Sequence, residues 1–292
     1  MQDFSGVWVP LVTPIAAGAV DHAGLQRLVA GLAKSGIRGF VLNGSTAEAA
    51  ALDEDEQRAI VDSVRRAAPQ APLVMGASGV RPAVLAARLQ RWADAGFAGF
   101  LVPPPSYVRP AQQGVADFFR EVADSAPAPL LLYDIPGRTG VRIETATMLA
   151  LAAHPRIAGV KDCAGDPDHT QAVIDDGRLQ LLAGDDARLF TTLCQGGAGA
   201  ITASAHLRPE LFVALHRLVA ESRLAPARSL WRGLWPLTRA FFAEPNPAVI
   251  KAVLARHIGI ADELRAPMTR AGSASVQAAL DALGALDRLT AA

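Results

Sequence analysis

The sequence predicts a (β/α)8 barrel, an α/β fold of the TIM-barrel class, with a C-terminal helical appendix, and three observations carry that expectation. Short apolar runs alternate with longer amphipathic ones, the pattern of a parallel α/β architecture. Eight such pairs can be counted before the alternation stops after Thr202. The length of 292 residues accommodates one barrel of about 250 residues and a short addition.

The candidate strands are short and mostly apolar, as strands covered on both faces must be. They fall at residues 7–12, 39–42, 73–75, 99–102, 130–133, 157–161, 180–183 and 200–202. Between them, Leu25, Leu28, Val29 and Leu32 recur at the spacing of one helix face, as do Val84, Leu85, Leu89 and Trp92. Asp21 and Asp53 suit the caps of the helices they precede, Pro82 suits a first turn, and Gly36 and Gly96 suit the exits. Beyond the last strand, Pro226, Pro236, Pro245, Pro247 and Pro267 punctuate helical stretches. The expected organisation is a catalytic barrel over 1–223 and a helical domain over 224–292. In the latter, Glu244-Pro245-Asn246-Pro247 reads as a helix start, with Asn246 as cap and Pro247 in the first turn. An open doubly wound sheet would favour a glycine-rich phosphate loop after the first strand, and Thr13-Pro14-Ile15-Ala16-Ala17-Gly18 is not one.

Composition narrows the function classes. Apolar residues make up 51% of the chain and charged residues 19%, which excludes a disordered protein. Lys plus Arg number 28, as do Asp plus Glu, so no global basic field exists to hold nucleic acid or an anionic membrane. No run approaches the 18 or so apolar residues of a membrane span, and the first residues lack a signal-peptide pattern, so a cytoplasmic location is expected. Cys163 and Cys194 are too few for a zinc site or a disulfide framework. Neither H-E-x-x-H nor G-x-S-x-G occurs, which leaves zinc and serine hydrolysis unsupported; no metal or cofactor is expected.

In a barrel of this class the chemistry collects at the carboxyl ends of the strands. Lys161 closes the apolar run Ile157-Ala158-Gly159-Val160, where burial would disfavour the ammonium and release an amine able to condense with a ketone. Taken alone it could equally snorkel to solvent. Tyr133, ending the run from Leu130, offers a phenol for proton transfer or a wall residue with one hydrogen bond. Ser45 and Thr46 place two hydroxyls after Gly44, suited to a carboxylate or a proton relay, or else to a simple turn. Arg138, between Gly137 and Thr139, could grip a second carboxylate with its fork. Asp185 and Asp186 read as caps of the helix that follows.

Together these motifs resemble the dihydrodipicolinate synthase and N-acetylneuraminate lyase family of pyruvate-dependent class I aldolases. The resemblance rests on Gly44-Ser45-Thr46-Ala47-Glu48, Tyr133-Asp134-Ile135-Pro136-Gly137-Arg138-Thr139-Gly140, Gly159-Val160-Lys161-Asp162 and Leu182-Ala183-Gly184-Asp185-Asp186-Ala187. It implies a cofactor-free Schiff base between Lys161 and pyruvate, with Tyr133, Ser45 and Tyr107 as catalytic partners. Ser45, Thr46, Arg138, Gly184 and Ile201 are implied to bind substrate, Tyr107 being lent across a tight dimer of a homotetramer.

Arg138 resembles the synthase arginine that receives aspartate semialdehyde. That favours 4-hydroxy-tetrahydrodipicolinate synthesis over an aldolase or dehydratase of 2-keto-3-deoxy sugar acids, or a non-catalytic homologue. Ser45, Ala47 and Asp134 depart from the synthase pattern of threonine, glycine and asparagine, and Ser45 is lyase-like. At positions where lysine-inhibited synthases carry polar residues, Val80 and Val84 could not pair the charged ends of lysine, so feedback inhibition is expected to be weak or absent.

Overall fold

The computed structural model describes residues 2–291. Its barrel strands are β1 (Gly6–Pro10), β2 (Gly39–Leu42), β3 (Leu73–Gly76), β4 (Gly99–Val102), β5 (Leu130–Asp134), β6 (Ile157–Asp162), β7 (Gln180–Ala183) and β8 (Gly199–Ile201). They close in sequence order, with β8 returning to β1, as the (β/α)8 pattern requires. No helix among the described residues is long and apolar enough to cross a membrane.

The chain forms two compact units. The first takes in the residues up to Trp8 and Pro72–Ile201; the second takes in Val9–Ala71 and the chain from Thr202 onward.

In the first unit every side chain of β4 and β5 is buried, consistent with strands covered on both faces. The β5–β6 register sets Tyr133 opposite Lys161 and Asp134 opposite Asp162, and β7 sets Leu182 opposite Lys161. Closure of β8 on β1 depends on Gly199. A Cβ there would lie 2.0 Å from the carbonyl oxygen of Gly6, so any larger residue would force the strands apart.

The second unit opens with a small hairpin, Ile15–Ala16 against Ala19–Val20, that the sequence reading did not anticipate. Ala17 and Gly18 turn it with positive φ at both positions. Asp21 caps the helix His22–Leu32 by accepting from the Gly24 amide at 2.8 Å. Asp53 and Glu56 form a reciprocal capping box on Glu54–Ala67.

Beyond the barrel lie the helices Pro209–Ala220, Leu224–Phe241, Ala248–Ile258 and Ser273–Ala291. Phe212, Leu215, Leu234, Leu237, Phe241, Ile250 and the Lys251 side chain are among their fully buried residues. Pro236 does not end a helix; it sits on the exposed face of Leu224–Phe241, where the carbonyl it leaves unpaired, on exposed Arg232, can meet water.

One expectation is corrected here. Asn246 does not cap a helix: the helix begins at Ala248 with Pro247 as its cap residue. The Ala248 amide is already satisfied by the Pro245 carbonyl at 3.1 Å. The Asn246 side chain instead donates to the buried Thr46 hydroxyl at 2.9 Å, an oxygen that needs a partner.

Candidate active site

The apolar run of β6 carries Lys161 into the barrel interior, where it is 6% exposed. The matching run of β5 does the same for Tyr133, 8% exposed. Strand register makes them direct neighbours, and Lys161 Nζ donates to the Tyr133 oxygen across 3.4 Å, with the amine 4.4 Å from the ring centroid. A phenol this close can hand a proton to, or take one from, an atom bonded to the amine.

The ionisation state differs from the sequence expectation. Burial does oppose the ammonium, as expected. The Tyr133 oxygen and the Asp186 carboxylate around it favour the charged form, and the balance lies above the ordinary lysine value. Burial alone therefore does not decide the state of this amine; the carboxylate of Asp186 beside it opposes the neutral form. Asp186 is itself buried, a role that its reading as a helix cap missed, whereas Asp185 does cap, accepting from the Ala187 amide at 3.0 Å. Burial pushes the Cys163 thiol up to about 12, so it stays neutral beside the lysine.

Gly184 follows β7. A Cβ on it would stand 2.6 Å from Lys161 Cγ, 3.0 Å from its Cε and 2.5 Å from the Cys163 sulfur. Only glycine leaves the lysine side chain its present path. Ile201 ends β8 and is buried.

Asp134 follows Tyr133 and is fully buried. One carboxylate oxygen accepts from the Ile143 amide at 3.2 Å, and the other has no partner among the described residues. Burial above all, with Asp162 adding like charge, raises its pKa to about 7, against the Ile143 hydrogen bond. Asp162 is held by the Thr170 hydroxyl at 2.6 Å and the Ala164 amide at 2.8 Å.

Arg138 lies exposed on the short helix Pro136–Thr139 after β5, with its guanidinium in no ion pair among the described residues. Tyr107, after β4, is 94% exposed at a positive φ of 73°. Its amide donates to the Thr139 carbonyl at 3.3 Å, and its ring stands out in solvent rather than beside Lys161 and Tyr133. The chain's two tyrosines thus occupy opposite environments.

Ser45 and Thr46 belong to the second unit, in a single helical turn after β2. Asn43 and Glu48 bracket this turn with positive φ values of 50° and 58°. Ser45 is exposed and Thr46 buried. The Thr13 hydroxyl donates to the Ala47 carbonyl at 2.8 Å. Glu48 accepts from Lys251 Nζ at 2.8 Å and from the Arg265 amide at 3.1 Å. None of the residues 246, 251 and 265 was singled out from sequence as part of a site; a lysine inside the apolar run 248–254 and an asparagine just before it were the available signal.

Fold and pair together define a barrel protein whose buried amine and phenol are set for carbonyl chemistry. The chain belongs to the dihydrodipicolinate synthetase family, whose model matches residues 3–285. It is 38% identical over 280 residues to 4-hydroxy-tetrahydrodipicolinate synthase 1 of Streptomyces coelicolor, covering 94% of this chain and 92% of that one. Among solved structures, dihydrodipicolinate synthase from Thermotoga maritima superposes with a TM-score of 0.94 at 27% identity, covering 97% of this chain and 99% of that one. A monomeric dihydrodipicolinate synthase variant superposes with a TM-score of 0.94 at 26% identity, covering 97% of each chain.

Proposed function

We propose that the protein is a class I Schiff-base lyase that condenses pyruvate with aspartate semialdehyde, a 4-hydroxy-tetrahydrodipicolinate synthase of diaminopimelate and lysine biosynthesis. The observation that carries this reading is the buried Lys161 amine facing the Tyr133 phenol at 3.4 Å on paired strand ends. Family membership supplies the substrate class for that pair.

The Lys161 ammonium first sheds a proton to solvent, leaving the Tyr133 phenol 3.4 Å away to donate and recover protons at the atoms bonded to the amine. The free amine then adds to C2 of pyruvate, and the carbonyl oxygen leaves as water once the relay has protonated it. The resulting iminium loses a C3 proton to give an enamine. C3 attacks the aldehyde carbon, whose oxygen takes a proton to become the hydroxyl. The semialdehyde's amino group attacks C2, expels the lysine amine and closes the ring. All atoms come from the two substrates, so the reaction as written calls for no cofactor or metal.

In this reading Ser45 and Thr46 serve the pyruvate carboxylate and the proton relay, and Arg138 receives the semialdehyde carboxylate. Gly184 keeps the lysine's path open, and Ile201 contributes to substrate binding. Exposure of the Tyr107 ring supports its being lent to a partner copy, within a cytoplasmic homotetramer built as a dimer of tight dimers. The test is borohydride reduction in the presence of pyruvate, read by intact mass, followed by turnover with aspartate semialdehyde against a panel of 2-keto-3-deoxy sugar acids. Adduct on Lys161 and selective turnover of the semialdehyde are expected. Selective turnover of a sugar acid would replace the acceptor assignment, and absence of any adduct would remove the Schiff-base reading.

A further inference from the structure

The turn that carries Ser45 and Thr46 is held from the C-terminal helical segment by side chains that the reaction does not use. Asn246 Nδ2 donates to Thr46 Oγ1 at 2.9 Å. Two residues along the turn, Glu48 binds the fully buried Lys251 amine through one oxygen and the Arg265 amide through the other. Lys251 also donates to the Glu263 carbonyl. The Asn246 carbonyl oxygen is buried and has no partner among the described residues, so the side chain's one polar engagement there is with the threonine.

We infer that Asn246 is a positioning residue for keto-acid binding, because its amide donates to Thr46 Oγ1 and thereby fixes the direction of the threonine O–H. A hydroxyl has one proton to donate and two lone pairs. With one lone pair held by the Asn246 amide, the proton is left free to be donated to a ligand oxygen. Without that donor, the hydroxyl is free to turn its proton away from the ligand, and the ligand loses a donor. Lys251 and Glu48 contribute by fixing the backbone of the same turn, so that the hydroxyl is anchored at both ends of the Thr46–Glu48 segment. The inference rests on the reading that Thr46 serves a pyruvate carboxylate.

The test measures half-saturation for pyruvate in borohydride trapping on Lys161, with maximal adduct recorded separately. Asn246→Ala should raise the half-saturating concentration about 5- to 10-fold, the scale of one lost hydrogen bond, with maximal adduct retained. Asn246→Asp keeps the shape and removes the donor at neutral pH, so it should show a comparable rise; it also carries the test if the alanine variant fails to fold. Thr46→Val should already incur the loss, and adding Asn246→Ala to it should change half-saturation by less than about twofold. A side chain that merely fills space predicts instead that Asn246→Asp binds as wild type, or that the two losses multiply, and either result overturns the inference. Failure of the wild-type protein to trap pyruvate is a separate result, which removes the functional reading and this inference with it.

Discussion

Replacing Asp134 by asparagine should flatten the pH dependence of folding between about pH 4 and pH 7. Asp134 is fully buried, and burial pushes its pKa from 3.8 up to about 7, with Asp162 adding repulsion and the Ile143 amide opposing. The folded protein therefore holds this proton across a pH range in which the unfolded chain has released it. The stabilisation linked to it is complete below the unfolded pKa and is lost as pH rises through about 7. A gap of about three pH units at about 1.4 kcal/mol each gives about 4 kcal/mol in total. Asparagine has no such linkage. Any cost of burying the amide N–H does not vary with pH and cancels from the comparison. Urea unfolding of both proteins at one concentration, from pH 4 to pH 8, reads the difference directly. The stability of Asp134→Asn relative to wild type should climb by about 4 kcal/mol across that range, most steeply between pH 5 and 7. A difference that stays constant with pH would refute the assignment of a buried, protonated Asp134.

Three further outcomes follow from the same geometry. Gly184→Ala should fold yet trap pyruvate on Lys161 at least about tenfold less efficiently, because the new methyl occupies space 2.6 Å from Lys161 Cγ; unaltered trapping would show that the lysine can be rerouted at no loss. Lys251→Met should destabilise the protein by about 3–5 kcal/mol by leaving the Glu48 carboxylate buried without its cation, and the double variant with Glu48→Gln should recover much of that loss in urea unfolding. L-Lysine should inhibit turnover weakly or not at all, since Val80 and Val84 offer no partner for its charged ends, and a micromolar inhibition constant in steady-state assays would overturn this.

The barrel was legible because its signal is local and repeated. Eight apolar runs separated by amphipathic helices require no knowledge of what they touch, and β2, β4 and β7 fall at the residues where the sequence places strands. Lys161 and Tyr133 were legible for the same reason, each being the polar residue that ends an apolar run. The ionisation state of Lys161 was not. Burial is visible in the run around it, but the opposing charge of Asp186 depends on which loop residue turns inward. The hairpin at residues 15–20 escaped because two-residue strands carry no periodicity. Asn246 was misread because Asn-Pro before an apolar helix is a good local cap signal, and only the fold brings Thr46, 200 residues away in sequence, within reach of its amide.

The contact of Asn246 with Thr46 gives the helical segment after the barrel a part in shaping the turn that carries Ser45 and Thr46. A barrel already buries its strands with its own helices, so an appendix of apolar helices needs no catalytic reason to exist. Here, however, the segment supplies Asn246, Lys251 and Arg265, and all three engage the turn between Thr46 and Glu48. The turn itself is strained, with positive φ at Asn43 and at Glu48, and a short loop in such a conformation persists only where its surroundings over-determine it. The buried Lys251–Glu48 pair is a poor source of net stability, because desolvation of both charges offsets their attraction. Its effect is instead geometric: a carboxylate gripped by an amine on one side and a backbone amide on the other leaves the Glu48 backbone little freedom, and Thr46 stands two residues away. The segment thus acts on the Thr46 hydroxyl, directly through Asn246 and through the turn by way of Glu48.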